Sequence, residues 1–167
     1  MTEPLPPPEA AITTEIPVVV PDRVPEGLLE PVLARRESMR KGMDALERAM
    51  ATPAGAQEWA EGAQRAVGRL RRAWDSHVQG AEGPEGLTSI MIDAAPRLIG
   101  RAQRLAREHP DLEQRIVALE AVVAGPDLDP DEVRDLGTEL IAKLVRHRQK
   151  GSDLFYEAFQ ADVEGGE

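Results

Sequence analysis

The imidazole chemistry of this sequence rests on three residues, His77, His109 and His147. Neutral imidazole is a good ligand for iron, zinc or copper, and three converging rings would hold an ion without help from sulfur. No cysteine is present, which removes thiolate zinc sites, iron–sulfur clusters, disulfide frameworks and the usual thiol nucleophile. There is no Ser-His-Asp array, phosphate-binding glycine loop or dinucleotide fingerprint, and Gly80, Gly83 and Gly86 do not lie between a strand and a helix.

All three histidines fall on apolar seams with the alternating 3–4 spacing of a core-facing helix. One seam runs Trp59, Ala63, Ala66, Leu70, Trp74, His77, Ala81. A second runs Leu98, Ala102, Leu105, His109, Leu112, Ile116, Leu119, Val123. A third runs Val133, Leu136, Leu140, Leu144, His147, Gly151, Leu154, Ala158. A seam covers about three positions in seven, so chance would place all three histidines there less than roughly one time in ten. A lone buried histidine is more often a hydrogen-bonded core residue than a ligand; three on three seams shift that balance.

These seams require four long helices. The first is predicted from Glu26 to Ala51, with the seam Arg36, Met39, Met43, Leu46, Met50. The second is predicted from Pro53 to Ala81, followed by the interruption Gly83-Pro84-Glu85-Gly86 and a short piece from Leu87 to Ala94. The third runs from Pro96 to Ala124, with a kink or break expected at Pro110, which lacks an N–H and frees the Ala106 carbonyl. The fourth opens on Asp129-Pro130-Asp131-Glu132, a cap, a first-position proline and two first-turn acids, and extends to about Val163.

Short connections between long helices predict an all-α, antiparallel up-down four-helix bundle over residues 26–164. If the helices alternate, Arg36, His109, His147 and His77 all lie about 16–26 Å from one end at 1.5 Å per residue. The imidazoles can then meet at one level.

Residues 1–25 hold seven prolines, which fix φ and remove donors, so a disordered Pro-rich tail is expected there. Aromatic residues make up 3% and charged residues 30%, a balance suited to helices with Leu/Ala/Val cores and solvated outer faces. The net charge of -10 argues against nucleic acid. No apolar run is long enough for a membrane span and no secretory leader is visible, so a cytoplasmic protein without membrane partners is expected. The arginine clusters at 69–72, 97–107 and 146–150 read as solvated helix faces. Trp74, Phe155 and Phe159 could form an aromatic plug near the histidine level, but ordinary core packing is the preferred reading.

Several segments carry a resemblance to a known family. His77-Val-Gln-Gly-Ala-Glu82-Gly-Pro-Glu-Gly-Leu87, Ala95-Pro-Arg-Leu98, Leu105-Ala-Arg-Glu-His109 and the last-helix stretch from Arg146 to Phe159 with Ala161-Asp162 resemble bacterial hemerythrin-like proteins. The resemblance spans roughly residues 27–165 and is weaker in the first helix. It implies a bundle holding two non-heme irons through histidines and carboxylates, acting on oxygen, peroxide, nitric oxide or iron. His77, His109 and His147 match ligand positions of the second, third and fourth helices. The first-helix histidine position is Arg36, and the carboxylates expected one turn after His77 and His147 are replaced by Ala81 and Gly151. Glu113 keeps the i+4 position after His109. Glu82 and Asp153 are the second-choice carboxylates, reachable if Gly83 and Gly151 permit local bulges.

Two functions follow as expectations. One is a histidine-centred metal site, with non-heme iron, a di-iron pair or a single ion, binding small oxygen species. The other is a metal-free bundle serving as an interaction scaffold, with the tail as a flexible arm.

Overall fold

The computed structural model describes residues 23–55 and 58–160. Almost all of the predicted tail and the residues after Gln160 lie outside them. Among the described residues the chain is all-helical: α1 Leu29–Ala51, α2 Trp59–Ala81, α3 Leu87–Ala94, α4 Ile99–Ala106, α5 His109–Ala124 and α6 Pro130–Phe159, with a 3-10 turn at Pro96–Leu98. None of these helices is long and apolar enough to cross a membrane.

Helix ends follow local chemistry. The Asp129 carboxylate accepts the Asp131 N–H at 2.9 Å and starts α6. Thr52 is extended and ends α1. The second helix begins at Trp59 rather than Pro53, because Ala54 and Gly55 form a turn first. The Trp59 indole then donates to the Ala49 carbonyl at 3.0 Å, tying the start of α2 to the open end of α1. α6 stops at Phe159, four residues short of Val163, with Gln160 extended. The predicted third helix is three pieces: the 3-10 turn, α4 and α5. The break falls at Arg107–Glu108, just ahead of Pro110, where the missing N–H and the ring clash with the preceding turn are relieved.

The long helices close a ring of neighbours: α1 packs on α2, α2 on α5, α5 on α6 and α6 on α1. Glycine permits the first of these contacts to be close, since a methyl group at Gly42 would lie 3.1 Å from Leu70 Cα. No residue of the four predicted seams is exposed. The apolar interior nevertheless falls into two clusters. One contains Met43, Leu46, Leu70, Trp74, Ile116 and Leu144; the other contains Val32, Met91, Leu98, Leu154, Phe155 and Phe159. The three histidines lie where one cluster gives way to the other.

Candidate metal centre

α2, α5 and α6 each deliver one imidazole to this boundary. Ring centroids are 5.4 Å apart for His77–His109, 5.2 Å for His77–His147 and 5.1 Å for His109–His147. The Nε2 atoms of His77 and His147 approach to 3.2 Å. One ring nitrogen from each of the three lies within 4.8 Å of the others. Two nitrogens bound to one ion at 2.0–2.1 Å are roughly 3.4 Å apart at a tetrahedral angle and about 4.2 Å at most. The closest pair therefore already has ligand spacing, and a pair at the 4.8 Å limit would draw in by about 1.4 Å to reach the tetrahedral separation.

Carboxylates hold the outer nitrogens of the two buried rings. His109 Nδ1 is 2.6 Å from Glu82 Oε1, and His147 Nδ1 is 3.0 Å from Glu108 Oε2. Glu108 is itself held by Lys150, whose Nζ donates to Oε1 at 2.5 Å. A carboxylate on Nδ1 fixes the tautomer with the proton on that side and leaves Nε2 as a lone pair facing inward. The arrangement makes the inner nitrogens acceptors, as metal ligation requires.

The two orienting acids reach their histidines from outside helices. Glu82 directly follows the last residue of α2 in extended conformation, and Gly83 at φ +90° turns the chain away behind it. This is a helix-end turn rather than the expected bulge. Glu108 sits in the break that Pro110 imposes between α4 and α5. Sequence reasoning assigned it no role because it lies beside a seam residue rather than on the seam. The nearby proline was the available signal.

The other sequence candidates are engaged elsewhere. Glu113 accepts two bonds from Arg71 Nη1, at 2.7 and 2.8 Å, and one from the Trp74 indole at 2.7 Å. Asp153 is exposed and accepts from Gln149 at 2.8 Å, while α6 continues unbroken through Gly151. Neither belongs to the cluster of ligand atoms, which among the described residues consists of the three histidines alone. The aromatic plug divides as well. Trp74 packs against all three imidazoles at centroid distances of 5.4, 5.4 and 6.1 Å, whereas Phe155 and Phe159 pair with each other at 5.0 Å in the second cluster.

Beside the imidazoles lies a cavity of about 80 Å³. Ala81, Gly151 and Arg36, the three departures from the resemblance, all line it. The small residues leave the space, and the Arg36 guanidinium lies over the Phe155 ring at 5.1 Å.

Burial, followed by the neighbouring charges of His147, His109, Arg35 and Arg148, pushes His77 down from 6.5 to about 3. Burial also lowers His147, against the opposing pull of Glu108. His77 and His147 are thus neutral in the folded protein near pH 7. In the unfolded chain His77 takes a proton near 6.5, so its contribution to stability is present above that pH and lost as pH falls toward 3. Metal-free protein is expected to lose about 2 kcal/mol between pH 7.5 and 5 through this group alone. Urea unfolding across that range should show a shallower pH slope in His77→Gln. Equal slopes in the two proteins would mean that His77 charges freely in the fold.

No known protein-family model matches the chain, and neither the curated proteins nor the solved structures contain a detectable match.

Proposed function

We propose that this chain is a metal-binding helical bundle, of hemerythrin-like descent and up-down topology, in which His77, His109 and His147 hold one divalent ion with an open position toward the cavity. The observation that carries this reading is the pairing of converging inner nitrogens with carboxylate-held outer nitrogens at His109 and His147. A core that needed the histidines only as filler would gain little from turning the inner lone pairs of His109 and His147 toward one point; without an ion, His77 Nε2–H is left to donate to His147 Nε2, and a metal would displace that proton.

The three-nitrogen donor set suits zinc, copper or iron. A di-iron pair would need carboxylates among the ligands, and Glu113 is committed to Arg71 and Trp74, so one ion is the better reading. The ion would act as a Lewis acid toward a small oxygen-donor molecule entering the open position, with Trp74 and the flanking apolar side chains excluding bulk water.

Titration of the metal-free protein with Zn²⁺, and anaerobically with Fe²⁺, tests the proposal. One equivalent per chain should bind, with elemental analysis of freshly purified protein identifying the native ion. Absence of uptake of either ion would overturn it and leave the interaction scaffold as the surviving function.

A further inference from the structure

Resting on that metal reading, we infer that the cavity beside the imidazoles is a receptor for a small oxyanion of carboxylate type, clamped by Arg36 and Arg148. The argument begins with charge. A cavity of about 80 Å³ is lined by the three histidines and by Arg35, Arg36 and Arg148. Water occupies about 30 Å³ per molecule in the liquid, so the space suits a group of a few heavy atoms.

Among the described residues none of these three arginines forms an ion pair, although most other arginines of the helices do: Arg40, Arg65, Arg71, Arg101, Arg115 and Arg134 all have carboxylate partners. The Arg36 guanidinium has an aromatic face as its contact. Arg148 Nε is buried with no hydrogen-bond partner. A buried, unsatisfied N–H on a charged group costs more than a neutral one, and the cost is recovered when an acceptor arrives.

The metal sharpens the requirement. Three neutral imidazoles leave a divalent ion with its full charge, and the arginines add to it. Glu82 and Glu108 balance part of this from the far side of the rings, and Glu108 is already shared with Lys150. The centre remains electropositive toward the cavity, so an anion is favoured there over neutral dioxygen. A guanidinium presents parallel N–H groups that match two oxygens of one planar group, and the metal can take an oxygen of the same molecule. Ala81 and Gly151 place no side chain beyond a methyl group in the space this ligand would fill.

Formate is a suitable probe because it carries two oxygens and fits the space. Formate titrated calorimetrically into zinc-loaded full-length protein should bind saturably at one per chain. In Arg36→Gln and Arg148→Gln, with zinc content verified near one per chain, affinity should fall at least tenfold. Equal affinity in the wild type and both variants, or no saturable binding to the zinc-loaded wild type, would overturn the inference. If the protein takes up neither zinc nor ferrous iron, the metal reading fails separately, and formate is titrated into the metal-free protein. Arginine-dependent binding there upholds the anion site, and its absence ends it.

Discussion

His147→Ala is expected to weaken metal binding severely while leaving the fold in place. His147 is 2% exposed, and its ring joins both halves of the centre: Nε2 lies 3.2 Å from His77 Nε2, and Nδ1 contacts Glu108. Removing it leaves two nitrogens on α2 and α5, and Glu108 keeps only Lys150. Loss of a primary ligand should exceed the 10–100-fold typical of losing a residue that only orients one. An affinity loss of about 1,000-fold, equivalent to ~4 kcal/mol, is expected. Thermal unfolding gives an independent measure. Saturating zinc at about 1,000 times Kd should stabilise the wild type by ~4 kcal/mol and the variant by almost nothing. Glu113→Gln is the counter-case: it should keep zinc affinity close to that of the wild type, because Glu113 serves Arg71 and Trp74. Loss of zinc in Glu113→Gln with retention in His147→Ala would reverse the assignment of ligands.

Seam periodicity identified the inner face of every long helix, because burial in a helical interior acts on each turn independently and so writes itself into local spacing. The same logic located the histidines, which occupy core positions. It did not supply their supports. Glu82 and Glu108 lie where helices stop, so their direction depends on Gly83 and Pro110 rather than on a 3.6-residue period. Glu113 illustrates the converse. Its i+4 position after His109 correctly puts both residues on neighbouring sides of α5. Yet Arg71, arriving from α2 and placed by the sequence in a solvated arginine cluster, captures its carboxylate with two bonds. Helix starts were misjudged for a related reason. Pro53 is a favourable first residue, but the Trp59–Ala49 bond between helices sets where α2 begins. Spacing reads single helices well and is blind to competition between them.

Trp74→Ala should produce the largest loss of stability among single substitutions near the site. The side chain is 1% exposed, and its ring lies at 28° to His77 with edge contacts to His109 and His147. Truncation removes the wall on which all three imidazoles rest and strands a buried void, a change that typically costs 3–5 kcal/mol. Trp74→Phe separates packing from hydrogen bonding. It keeps most of the wall and loses the indole N–H to Glu113, whose carboxylate retains Arg71, so ~1–2 kcal/mol is expected. Urea unfolding of the metal-free proteins measures both. Leu70→Ala supplies the specificity control, because Leu70 is fully buried in the same cluster without touching the imidazole rings through an aromatic face. It should also cost a few kcal/mol yet leave zinc affinity within about threefold of the wild type. Trp74→Ala should weaken zinc at least tenfold, because the rings it orients gain freedom that binding must then remove. If both variants weakened zinc equally, the tryptophan would be core filling and the geometry of the trio would owe nothing to it.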